Sequence, residues 1–308
     1  MSDRAQNQSV SLEQVLASAQ LPALPQTAIR LLELSQDASN GPAEYAKPIE
    51  ADPGLMGQIL RFVNSSYFGF SREIASIKQA LALVGVRTIK NFALWSAVFS
   101  LVPDPKFGPF DLKKLWQDSL RRAVFARLLG RKVNLPNAED LFAAALLQDM
   151  AIPLLLKELP AQYEDLIQRR NVEKLRLSQL ERSVFGWDHA QAAAALVRNW
   201  RLPEEFAVLI ERHPNLSELL TSSPPVVDAA CVALASMLPS CQDETWSDWE
   251  EFQNGIQQVA KLSNEQELAL MVECDKSFEE FAPIMKLSLP SVSLQDWFKQ
   301  SLLATSAS

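Results

Sequence analysis

Residues Phe142–Pro153 read FAAALLQDMAIP. The apolar side chains show no period-two alternation and belong to a stretch from 137 to 157 that is too long for a strand, so it is read as one long helix committed to a core. In its middle stand two polar residues, Gln148 and Asp149. They are either an ordinary hydrogen-bonded pair on a buried helix or the remnant of a His-Asp metal doublet. The function of the chain turns on which.

Working outward, apolar residues recur at helical spacing nearly everywhere. Val10, Val15 and Leu16 predict a short first helix ended by the prolines of LPALP, after which Pro25 opens a helix through TAIRLLELS. Asp52-Pro53 is a strong helix start, because the carboxylate caps free N–H groups and proline suits the first helical position. Leu55, Ile59, Leu60 and Val63 follow as one apolar face. Ser76 and Gln79 stand at capping-box spacing, and Gly85 closes that helix. A buried helix is expected over 86–101, then a Pro-rich linker, VPDPKFGPF, and long helices at 111–133 and 137–157. Further helices are expected at 159–169, 173–185, 188–200 and 204–212, with another through VVDAACVALASML. No alternating run bounded by hairpin signals stands out, and only 9 glycines serve 308 residues. The fold class is all-α.

Composition is that of a globular chain, 48% hydrophobic and 21% charged, with a net charge of −8. That balance argues against a polyanion binder, and no aromatic-interleaved basic stripe suggests DNA. The charge is uneven. Asp104–Leu135 carries eight Lys/Arg against three Asp, and Ser240–Phe281 carries eleven Asp/Glu against two Lys. Each is expected to be a solvated helix face, with two docking surfaces of opposite sign as the sharper reading. Within the acidic stretch, Trp246, Trp249, Phe252, Phe278 and Phe281 are placed to anchor it on the core. Cys231, Cys241 and Cys274 lack CxxC spacing and read as reduced thiols. The N-terminus has no apolar core, and the longest apolar run, NFALWSAVFSLV, is too short for a bilayer. A cytoplasmic protein is expected.

Several strings follow one another in order over about residues 20–215: LPALPQTAIRLLEL, IEADPGLMGQILRFVNSSYFG, IASIKQALALVGVRTIKNFAL, LWQDSLRRAVFARLLG, LFAAALLQDMA and FGWDHAQAAAALVRNWRLP. Together they resemble the HDOD domain. The resemblance implies an all-helical relative of HD-type metal phosphohydrolases, of a kind found in bacterial signalling proteins and generally lacking the catalytic metal set.

In active HD enzymes a first His, a His-Asp doublet and a distal Asp gather a metal whose bound water attacks phosphorus. By the resemblance, the first His position is here Asp118 and the doublet is Gln148-Asp149. The Gly-Lys of the cyclic-dinucleotide hydrolases is Ala151-Ile152. The distal Asp falls at Cys231, with Asp228 close enough to leave the register open. His189 and His213, the only two histidines, match positions that are His in many HD relatives. A residual metal set of Asp118, Asp149, His189 and His213 competes with hydrogen-bonded polar residues retained in a core. The amide at 148 weighs towards the latter, since amide oxygen is a poor ligand beside imidazole.

The expectation is therefore an N-terminal lead-in (1–19), an HDOD domain (20–215, divided into 20–102 and an HD-like part at 111–215) and an acidic helical extension (224–308). The expected role is a non-enzymatic regulator in bacterial signalling, with no cofactor and signalling proteins as partners. Signal input would arrive through another molecule, since no receiver or kinase pattern lies within these residues. Two rivals stand beside it: a divergent metal-dependent phosphohydrolase, and a nucleotide- or anion-sensing pocket without turnover.

Overall fold

A computed structural model describes residues 10–306 except 20–22, 36, 38, 66, 67, 107 and 109. Among the described residues every regular element is a helix. The first section holds α1 (Leu12–Ser18), α2 (Gln26–Ser35), α3 (Pro42–Glu50), α4 (Pro53–Val63), α5 (Ile77–Val84) and α6 (Val86–Leu101). The second holds α7 (Leu112–Lys132), α8 (Ala138–Leu147), α9 (Ile152–Glu158), α10 (Pro160–Glu173), α11 (Leu177–Phe185), α12 (His189–Asn199), α13 (Glu204–Arg212) and α14 (Leu216–Thr221). The last holds α15 (Val227–Ser236), α16 (Trp249–Ala260), α17 (Asn264–Phe281) and α18 (Leu294–Ser306).

The predicted caps form. Asp52 Oδ1 accepts from Leu55 N at 3.0 Å, and Asp52 Oδ2 accepts from Thr27 Oγ1 at 3.1 Å, tying the start of α4 to α2. Ser76 Oγ accepts from Gln79 N, and Gly85 lets the chain turn 117° between α5 and α6 at a φ of +93° that suits glycine. Among the described residues no single helix is long and apolar enough to cross a membrane.

The expected helix over 137–157 is broken, and the break falls on the doublet. Pro153 stands four residues after Asp149. It has no N–H to give the Asp149 carbonyl, and its ring would crowd that oxygen. Ile152 N serves the Asp149 carbonyl instead, at 3.0 Å, and α8 ends where α9 begins a tight turn later. The turn lifts Asp149 out of a regular helix face and aims it into the bundle.

Helix α7 is the axis. It packs against α8, α15 and α17. Gly130 makes the crossing with α8 close, since a Cβ there would lie 2.6 Å from Leu141 Cδ1. Its basic residues depart from the expected solvated face. Arg121 and Arg127 are buried, at 2% and 1% exposure, whereas Arg131 and Lys132 are exposed. Arg121 Nη2 donates to Val292 O at 3.0 Å and Nη1 to Pro239 O at 3.4 Å. Arg127 lies 3.8 Å from Glu139 and over the rings of Phe142 and Phe281, 5.2 and 5.6 Å from their centroids. The cations are buried because distant parts of the chain supply their acceptors and ring faces.

One hydrophobic core joins all three sections. Phe281 on α17 lies 5.5 Å from Phe62 on α4 and 5.6 Å from Phe142 on α8, and Phe252 on α16 lies 5.7 Å from Phe125 on α7. Trp246 and Trp249 are buried with their indole N–H groups donating to Met237 O and Thr305 Oγ1. The acidic stretch thus packs on the core through the five aromatics that its sequence offers. Helix α15, placed by sequence in the extension, lies in space against α7, α8 and α13.

Candidate functional site

Three elements deliver the central side chains. Asp188 caps α12, accepting from Gln191 N at 3.0 Å, and so places His189 at the first helical position. Pro214 follows His213 and stops α13 there. The turn forced by Pro153 presents Asp149. The three converge: His189 Nε2 lies 3.2 Å from Asp149 Oδ1, His213 Nε2 lies 3.8 Å from the same oxygen, and the imidazole centroids are 5.3 Å apart. All three side chains are buried.

Each imidazole is fixed by its other nitrogen. His213 Nδ1 is 2.7 Å from Ile210 O, and His189 Nδ1 is 2.6 Å from Glu181 Oε2. Glu181 also accepts from the backbone N–H of His189 at 2.8 Å and from the Tyr163 hydroxyl at 2.7 Å. On the other side of Asp149, Arg122 Nη1 closes on Oδ2.

The charges follow from this wiring. Burial opposes ionisation of Asp149, yet Arg122 and the two imidazoles outweigh it and hold the carboxyl below its usual range. Burial likewise opposes a charged His189, but Glu181 and Asp149 overcome it and push the imidazole up to about 10. His213 is driven down to about 3 by burial, against Asp149 and with His189 and Arg176 repelling a further charge. At neutral pH two cations, Arg122 and His189, therefore flank the Asp149 carboxylate.

Asp118 is not part of this cluster. Its Oδ2 accepts from Ser240 Oγ at 2.5 Å and its Oδ1 from Cys241 N at 2.8 Å, so it pins the chain between α15 and α16. Gln148 is fully buried, its Nε2 3.4 Å from Asp149 Oδ2 and its Oε1 without a hydrogen-bond partner. Neither Asp228 nor Cys231 lines the cleft above the cluster; the α15 residue that does is Ser236. Burial, then Asp228, pushes the Cys231 thiol up to about 12, and burial raises Cys241 and Cys274 as well, so all three are thiols rather than thiolates.

The cleft encloses about 660 Å³ between the first half of α7, the junction of α10 with α11, and the chain from Ser236 to Asp248. Its arginines are matched by carboxylates: Arg122 with Asp149, Arg170 with Asp243 at 2.9 Å, Arg176 with Asp248 at 3.7 Å.

A divalent ion does not suit this donor set. Asp149, His189 and His213 offer ligand atoms within 4.8 Å of one another, but both oxygens of the one carboxylate are engaged, by Arg122 and by His189. The fourth candidate, Asp118, is spent on Ser240 and Cys241, and the doublet supplies an amide. Sequence reasoning did not find Arg122, Glu181, Tyr163 or Ser236 as parts of the site. Arg122 read as one of several basic residues of the helix over 111–133. The spacing of Asp118 and Arg122, one turn apart on α7, was the available signal.

Residues 21–216 match the HDOD domain. An uncharacterized protein of Treponema pallidum (strain Nichols) is 24% identical over 265 residues, which are 83% of this chain and 50% of that protein, so the chain spans about half the length of this relative. Among solved structures, an HDOD domain protein of unknown function from Geobacter sulfurreducens superposes with a TM-score of 0.68 at 22% identity, covering 90% of this chain and 97% of that one. A candidate phosphohydrolase from Shewanella amazonensis SB2B gives 0.64 at 19%, covering 96% and 99%. A candidate signal transduction protein from Marinobacter aquaeolei VT8 gives 0.68 at 22%, covering 88% and 61%. At these identities the likeness is one of fold.

Proposed function

The chain belongs to the HDOD family, and from that premise we propose that it is a regulatory interaction module of bacterial signal transduction that does not hydrolyse phosphodiesters. The observation that carries this reading is the state of Asp149. Hydrolysis on an HD-type frame needs a metal with an open coordination position for water. Here Arg122 and His189 each hold one oxygen of the carboxylate. What remains of the HD-type frame is a self-neutralised polar cluster that fixes α8, α11, α12 and α13 to α7. Such a module works through its surface, with signalling proteins as the partners. The matched arginines of the cleft count against a strongly anionic small ligand.

The test is direct. The purified protein, incubated with Mn²⁺, Fe²⁺ or Zn²⁺ and with linear or cyclic phosphodiesters, should release no product beyond that of Asp149→Ala. Turnover in the unaltered chain that Asp149→Ala abolishes would make it an enzyme.

A further inference from the structure

We infer that Arg122 is the resident cation of this site: its guanidinium neutralises Asp149 through Oδ2 in place of a divalent ion, beside two imidazoles that face Oδ1 of the same carboxylate. The inference rests on the non-hydrolytic reading above and goes beyond it, because it names the side chain whose charge stands in for the ion.

The ligand set is recognised by its outer shell. Metal-bound histidines nearly always give their second N–H to a carbonyl or carboxylate, which fixes the ring and turns the other nitrogen to the ion. Both histidines have this arrangement: His213 through Ile210 O at 2.7 Å, and His189 through Glu181 Oε2 at 2.6 Å. Glu181 is itself held by the Tyr163 hydroxyl. In each ring Nε2 then faces Asp149 Oδ1, at 3.2 and 3.8 Å. Two imidazole nitrogens and one carboxylate oxygen within 4.8 Å of one another make the three-ligand set of an open metal site.

A cation is already there. Arg122 reaches Asp149 Oδ2 from α7, one turn beyond Asp118 on the same helix, and both line the cleft. Its Nε is buried without a hydrogen-bond partner, and Asp149 is its hydrogen-bonded anion, with Asp118 and Asp243 adding to the charge around it. The guanidinium supplies positive charge at the carboxylate without offering water a coordination position. Removing it leaves the two imidazoles, their fixed second shell and a buried carboxylate that has lost one of its two cations, so that a divalent ion displacing the His189 proton can take the place of the lost charge.

The experiment compares the unaltered chain, Arg122→Gln and Arg122→Gln/His213→Ala, each stripped with chelator and titrated with Zn²⁺ or Mn²⁺. Metal content and thermal melting are read together. The unaltered chain should hold no stoichiometric ion. Arg122→Gln should hold one per chain, with its melting temperature raised by about 5 °C at saturating ion, and the double variant should lose both effects. An Arg122→Gln chain that folds and binds no more ion than the unaltered one overturns the inference and leaves the non-hydrolytic reading standing. One ion per unaltered chain overturns the inference, and the hydrolysis assay above then decides the non-hydrolytic reading separately. Should Arg122→Gln not fold, Asp149→Asn is compared with Arg122→Gln/Asp149→Asn. The second change is expected to restore part of the denaturation midpoint lost to the first. A midpoint that falls further shows that Arg122 does not balance Asp149, and the inference fails.

Discussion

Arg121 donates a hydrogen bond to the carbonyl of Val292, 171 residues further along the chain. The guanidinium is buried, Val292 is half-buried, and the same guanidinium reaches Pro239 O in the interior. One side chain of the central helix therefore holds the chain on either side of α16 and α17. Asp275 on α17 completes the arrangement by accepting from Leu294 N and Gln295 N at 2.9 and 3.0 Å, capping α18.

Arg121→Met keeps much of the volume and strands the buried carbonyl of Pro239 and the half-buried one of Val292. The expected loss is about 2–4 kcal/mol of unfolding free energy, read from the midpoint of urea denaturation. An unchanged midpoint would mean that solvent takes over both carbonyls and that Arg121 contributes nothing as a clamp.

At the start of α4 the effect is smaller. Asp52→Ala removes the cap on Leu55 N and the partner of Thr27, and should cost about 1 kcal/mol, with a shifted midpoint and an unchanged slope. Thr27→Val tests the second bond alone and should cost less. If the two variants cost the same, the cap is idle and only the tie to α2 matters.

The paired histidines give stability a dome-shaped dependence on pH. Between about 3 and 6.5 the unfolded chain binds a proton on His213 that the folded chain refuses, so stability rises with pH. Between 6.5 and about 10 the folded chain keeps a proton on His189 that the unfolded chain loses, so stability falls as pH rises. Each limb has a slope of at most about 1.4 kcal/mol per pH unit. Denaturation midpoints from pH 5 to 9 should peak near 6.5, and His189→Gln should flatten the alkaline limb. A wild-type profile that is level from pH 6.5 to 9 would show that His189 is neutral in the folded protein.

Truncation after Ser223 removes α15 to α18 and uncovers the faces of α7 and α8 that they bury. The shortened chain is expected to aggregate, as seen by size-exclusion chromatography. Recovery of a soluble monomer with undiminished melting temperature would make residues 224–308 a separable module.

Much of the fold was legible in the local sequence, because capping and turn chemistry act over a few residues. Asp52-Pro53, Ser76 and Gly85 mark helix ends that form where expected. Local reading also held a clue it did not use: Pro153 forbids a regular bond to the Asp149 carbonyl and so marks the doublet as a weak point of the helix, although Pro48 sits inside α3 without ending it. The site was less legible. His189, His213 and Asp149 could be named by resemblance, but what fills the space between them depends on Arg122, Glu181 and Tyr163, whose partners lie 8 to 27 residues away in sequence. Burial of Arg121 was out of reach of any window, since its acceptors come more than a hundred residues later. Asp118 is another such case, matched to a ligand position and employed instead on Ser240 and Cys241.

The distance between Arg121 and Val292 also has a cost in time. A ribosome adds about 5–20 residues per second, so the 171 residues that separate the two take roughly 10–30 s to emerge. For that interval α7 is made but not enclosed. Its apolar face, with Phe125 awaiting Phe252 and Phe142 of the neighbouring α8 awaiting Phe281, is open to other nascent chains. The protein's most vulnerable moment is thus during synthesis, when holdase chaperones have the most to cover, and a slow codon run between 224 and 280 would lengthen it.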